Sequence, residues 1–88
     1  MYNMTNIQIE KFLEQNYIDK KPVKVSFKGR KPIVGIFITS NDYNELKAKN
    51  FWRIVGELNI ESFRKSKDMG LARMFNGTEF TKLSAPDQ

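Results

Sequence analysis

Tyr43 and Lys47, four residues apart in YNELK, could set an ammonium beside a phenol and let that phenol act as the acid of a hydride transfer. Such chemistry also needs a dinucleotide site, built from a glycine-rich turn between a strand and a helix of a long parallel sheet. GRKPIVG has neither that spacing nor a following helix. With no His and no Cys, the chain offers no imidazole base, no thiol nucleophile and no ordinary zinc site. Carboxylates remain. Glu10 and Glu14 lie one helical turn apart beside Lys11, the pattern of a solvated helix face. Asp42 sits between Asn41 and Asn44, in a stretch where Asp and Asn shape turns by bonding their own backbone. The chain therefore reads as a non-catalytic binding module without a cofactor.

Binding chemistry is better represented. Lys20, Lys21, Lys24, Lys28, Arg30 and Lys31 occur with no acidic residue between Asp19 and Asp42, in a chain of net charge +5. Clustered cations suit an anionic partner such as nucleic acid, because each phosphate contact releases counterions. The same lysines on the outer face of a strand also keep it soluble and discourage edge pairing. Tyr43 is an aromatic in a polar stretch beside these cations, a place where a base could stack or where the ring could cover the apolar interior. Asn76-Gly77 raises a parallel choice between a tight hairpin turn and a piece of a binding surface.

The elements that must position these residues follow from periodicity. Thr5 and Gln8 form a capping box, Met4 can staple against Ile9, and Ile9, Phe12, Leu13 and Tyr17 share one face, so a helix is predicted over 5–18 and stopped before Pro22. VKVSFK alternates apolar and polar residues as a strand with one buried face requires. IVGIFIT is apolar on both faces, with Gly35 inside it, where a strand can bend sharply or meet another backbone closely. Residues 40–50 are polar and fit a helix or a loop. FWRIV resumes a strand in which Phe51 and Trp52 point to opposite faces. NIESFRKSK fits a short helix capped by Asn59, with Ile60 and Phe63 inward. Leu71 to Phe75 and Thr78 to Leu83 then flank Asn-Gly as a hairpin needing positive φ at both turn residues. Phe27, Phe37, Phe51, Phe75 and Phe80 are expected in the core.

The predicted fold is mainly β with an N-terminal helix (α+β), a strongly bent five-stranded barrel with a possible short helix in the insertion before the fourth strand. It forms a single domain, 1–88, with the helix at 5–18, the barrel at 22–84 and a tail at 85–88. An 88-residue chain buries only roughly 60–65% of its unfolded surface, and this one has no covalent staple, so self-association is expected. The opening MYNMTNIQIE lacks a signal-peptide pattern, and no run approaches the ~20 apolar residues of a membrane span, so a cytoplasmic protein without a membrane partner is expected.

With this order of elements the chain resembles the Sm-like family. Gly35 inside the second strand and Asn41-Asp42-Tyr43-Asn44 after it are similar to that family's first motif, although Asp42 is one place late. Gly77 followed by Phe80 and Leu83 is similar to its second, with Asn76 where many members carry Arg. The resemblance implies a helix over a bent five-stranded barrel, homo-oligomeric rings, and loop residues that contact RNA bases. The candidate partner is RNA or single-stranded nucleic acid. Lys28, Arg30, Lys31, Lys47 and Lys49 are the candidate phosphate contacts, and Asn41, Asp42, Tyr43, Asn44 and Asn76 the candidate base-side contacts. The alternative is a protein-interaction or scaffold domain using strand edges or the Trp52 face.

Overall fold

Thr5 starts the first element because its hydroxyl accepts the Gln8 N–H while Gln8 Oε1 accepts the Thr5 N–H, satisfying two amides at one helix end. In the computed structural model, which describes residues 4–86, this capping box opens α1, Asn6–Leu13. Met4 packs against the cluster that contains Ile9. The helix stops well short of residue 18. Asn16 and Asp19 take left-handed φ values of 79° and 60°, and the chain coils in turns that stack Phe12 on Tyr17 with ring centroids 4.6 Å apart. Asn and Asp enter that region more readily than most residues, so the helix ends there and not at Pro22.

β1 (Val23–Phe27), β2 (Ile33–Phe37), β3 (Phe51–Gly56), β4 (Ala72–Asn76) and β5 (Phe80–Ser84) form one antiparallel sheet in the order β4-β3-β2-β1-β5. β1 alternates fully and half-buried residues, as its apolar period requires. β2 ends at Phe37, two residues before the expected Thr39, and β4 begins at Ala72, after a 3-10 turn at Met69–Leu71. The polar stretch 40–50 resolves into a helix, α2 (Tyr43–Ala48). The insertion forms a 3-10 turn at Glu57–Asn59 and α3 (Ile60–Ser66), although the Asn59 side chain makes no capping hydrogen bond.

Two apolar clusters explain why β2 and β3 are hydrophobic on both faces. Phe37, Trp52 and Ile54 pack with Ile9 and Leu13 of α1 on one side, and Ile36, Ile38 and Val55 pack with Ile60 and Phe63 of α3 on the other. Gly35 is the point of closest backbone approach. A Cβ there would lie 2.5 Å from the Val55 carbonyl oxygen and 2.7 Å from Ile54 Cγ2. The sheet is strongly curved. Strands three places apart in a flat sheet are separated by roughly 14 Å, yet the rings of Phe27 in β1 and Phe75 in β4 lie 5.9 Å apart.

Asn76-Gly77 is not a hairpin turn. β4 pairs with β3 and β5 pairs with β1, so the strands on either side of Asn-Gly are the two ends of the ladder, and among the described residues no ladder joins them. A 3-10 turn, Gly77–Glu79, links them, and no glycine has positive φ. Gly77 is required by proximity, since a Cβ would overlap Asn50 Oδ1 and come within 2.7 Å of Ile9 Cδ1. Asn50, itself at φ 63°, holds this corner by accepting the Gly77 N–H at 2.7 Å and the Trp52 indole N–H at 2.8 Å. Ala85 and Pro86 follow β5, and residues 87 and 88 of the expected tail lie outside the described residues. No helix among the described residues is long and apolar enough to cross a membrane.

Candidate nucleic-acid interface

The curvature that brings Phe27 to Phe75 also carries the β1–β2 turn to the β4–β5 corner. Lys28 N–H donates to the Glu79 carbonyl at 3.3 Å, and the Arg30 guanidinium lies 4.6 Å from the Phe27 ring centroid and 5.7 Å from that of Phe75. A guanidinium over an aromatic face is held by the ring quadrupole while its in-plane N–H groups stay free to donate. Beside it opens a groove of about 340 Å³ lined by Arg30, Phe51, Arg73, Phe75, Asn76 and Glu79. An adjoining hollow of about 270 Å³ shares Arg30 and Glu79 and adds Lys28. Phe75 and Asn76 are successive residues of β4 and Phe51 is paired with Asn76, so the lining comes from both faces of β4 and from the start of β3.

The expected site residues fall into two groups. Arg30 and Asn76 line this groove, Lys28 lines the adjoining hollow, and Lys31 is exposed on the same turn but outside both linings. Asn41, Asp42, Tyr43, Asn44, Lys47 and Lys49 lie on α2 and the residues flanking it, and the chemistry of Asp42, Tyr43 and Lys47 is committed within the fold. Lys47 Nζ pairs with Glu10 at 2.5 Å and lies 5.3 Å from the Tyr43 ring centroid. The Glu10 hydrogen bond raises the Lys47 pKa above the usual lysine value. Tyr43 packs edge-on against Trp52 at 6.1 Å, and burial pushes its phenol up, with the Lys47 charge opposing. Tyr43 therefore covers the core and is not a free stacking platform. Asn41, Asn44 and Lys49 remain exposed.

Asp42 is likewise engaged. Its carboxylate accepts from Arg53 at 2.7 Å and from the Ser40 hydroxyl, and these bonds, Arg53 first, hold its pKa at about 2. A cleft of about 510 Å³ adjoins this pair, lined by Thr39, Ser40, Asn41, Asp42, Arg53 and Met69. Its one cation is already neutralised, so its size does not make it an anion site. Among the described residues, Lys28, Arg30 and Arg73 form no ion pair.

Sequence reasoning missed Arg73 and Glu79 and misassigned two aromatics. Phe27, Phe37 and Phe80 are buried as expected, whereas Phe51 and Phe75 are half-buried and line the groove. Trp52, 2% exposed, is the member of its pair that points into the core. Strand alternation could have found Arg73, two residues before Phe75 and so on the same face of β4. No local signal marks Glu79. No protein-family model, curated protein or solved structure matches the chain.

Proposed function

We propose that the protein is a non-catalytic module that binds single-stranded nucleic acid, RNA in the first place, in the groove between the β1–β2 turn and the β4–β5 corner. The observation that carries this reading is the meeting of two guanidinium groups free of ion pairs, Arg30 and Arg73, with the rings of Phe51 and Phe75 in one groove of about 340 Å³. Pockets that hold small organic groups run from roughly 300 to 1,000 Å³, so the space suits one nucleotide at a time. Cations meet phosphate, and rings stack a base whatever its identity. Lys28 extends the cationic rim, and on and around α2 the exposed Asn41, Asn44 and Lys49 remain available to the strand. The fold is read as an Sm-like barrel in a cytoplasmic protein. The curl of β1 toward β4 supports the barrel, and the cysteine-free composition fits that compartment.

Exchanging both Arg30 and Arg73 for Glu tests the site. Affinity for unrelated single strands should fall by on the order of tenfold or more at low salt, and the slope of log affinity against log salt should flatten by roughly 1.5. Melting should change little, because both side chains are exposed. An equal loss on reversing Lys65, on α3, would assign the effect to net charge and overturn the placement.

Self-association belongs to the same reading. β4 and β5 each leave one side of their backbone outside the ladder, and Met74 on β4 is 48% exposed. Light scattering after gel filtration, at on the order of tens of micromolar, should give a mass above that of the 10.3 kDa chain. A monomer removes the oligomer from the proposal. The same exposed edge favours the second reading, a protein-interaction module that takes a partner strand along β4, and such a module would bind without a steep salt dependence.

A further inference from the structure

Glu79 is an anomaly in a cationic groove. Glu79 lines both the Arg30–Arg73 groove and the adjoining hollow at Lys28, is exposed, and among the described residues joins no ion pair. Its position is set by backbone bonds, because its carbonyl accepts the Lys28 N–H at 3.3 Å and the Gly77 N–H is held by Asn50 at 2.7 Å. Three residues earlier, Asn76 Oδ1 accepts from the Thr78 N–H at 3.0 Å and from the Thr78 hydroxyl at 2.8 Å. An N–H donor requires an oxygen acceptor, so the amide oxygen of Asn76 is used inside the turn and its NH₂ group is left to donate.

We propose that this corner makes the groove selective for guanine, with Glu79 as the specificity-determining residue and Asn76 as its complement. The inference rests on the nucleic-acid reading above. On its Watson–Crick edge guanine carries two adjacent donors, N1–H and N2–H₂, next to the O6 acceptor. A carboxylate accepts both donors as a fork, and an amide NH₂ can donate to O6. Adenine and cytosine each set one amino donor beside a ring-nitrogen acceptor, and uracil sets one N–H between two carbonyls. Each of them therefore faces the carboxylate with at least one lone pair, an unpaired contact that a polar site rejects. Phe51, half-buried in the groove and paired with Asn76, offers a ring against which a purine can lie. The carboxylate also repels phosphate, so it orients the strand with its backbone toward Arg30, Arg73 and Lys28 and its base toward Glu79.

The test uses uridine strands of about ten nucleotides, within the usual length of one binding site, carrying one central guanosine, inosine or adenosine, or none. Fluorescence anisotropy at fixed salt should show the guanosine strand binding roughly tenfold or more tighter than the adenosine and all-uridine strands, the discrimination ordinarily supplied by one forked contact. Inosine, which lacks the N2 amino group, should fall between them. Glu79→Gln should bring the strands together while raising affinity for all-uridine, because a negative charge leaves the groove. Equal, salt-dependent binding of every strand by the unaltered protein overturns the guanine assignment and leaves the nucleic-acid reading intact. A guanosine preference that survives Glu79→Gln overturns the role of Glu79. No binding of any strand overturns both.

Discussion

Replacing Trp52 by Ala is expected to lower the melting temperature by roughly 12–40 °C. The indole is 2% exposed and lies edge-on to Phe37 and to Tyr43, each at 6.1 Å between centroids. Truncating a buried aromatic side chain costs about 3–5 kcal/mol, and each kcal/mol shifts the melting point of a domain this size by roughly 4–8 °C. The loss is large because the indole N–H is also the partner of Asn50 Oδ1, and Asn50 holds the Gly77 corner through its backbone oxygen. Trp52→Phe, which keeps a ring but no donor, should recover more than half of the loss. Thermal denaturation followed by circular dichroism measures both variants. Near-native melting of Trp52→Ala would mean that the indole is not the centre of this core.

Gly35→Val should destabilise the protein by roughly 3 kcal/mol or more, at the upper end of what overpacking a core ordinarily costs. The first atom of any side chain there would lie 2.5 Å from a backbone oxygen, that of Val55, which cannot rotate away. Moving the strand is no remedy, because Gly35 is paired with Val23 of β1 and with Gly56 of β3. Gly56 provides the control. A Cβ at Gly56 meets no heavy atom within 4 Å, so Gly56→Ala should change stability by about 1 kcal/mol at most. Urea unfolding of the two variants measures the contrast, and similar midpoints would show that the sheet opens enough at Gly35 to accept a side chain.

The elements that local chemistry specifies were legible from the residues alone. The Thr5–Gln8 capping box, the alternation of Val23, Val25 and Phe27, the double-faced apolar run around Gly35 and the inward pair Ile60 and Phe63 all stand as the sequence predicts. Each depends on a cap or a period spanning only a few residues. The end of α1 was less legible, because Pro22 is a strong local stop, whereas Asn16 and Asp19 enter left-handed geometry only as the chain turns back over the sheet.

Asn76-Gly77 marks the boundary between the two kinds of information. Composition and spacing marked a break between two strands there, but the reversal of a hairpin is absent. With β4 antiparallel to β3, β3 to β2, β2 to β1 and β1 to β5, β4 and β5 run in the same sense along the sheet. Whether the flanking strands pair with each other is a question about β3 and β1, which take β4 and β5 as partners and leave a 3-10 turn where a hairpin was expected. The candidate site divides in the same way. Sequence alone marked Arg30 and Asn76 as available groups. Only the tertiary structure committed Lys47 to Glu10, 37 positions away, and Asp42 to Arg53, 11 positions away. It also set Arg73 and Glu79 beside Arg30. The physical reason is range: caps and periods act within a turn or two of chain, whereas ion pairing and groove formation depend on the curl of a sheet whose hydrogen bonds join residues far apart in sequence.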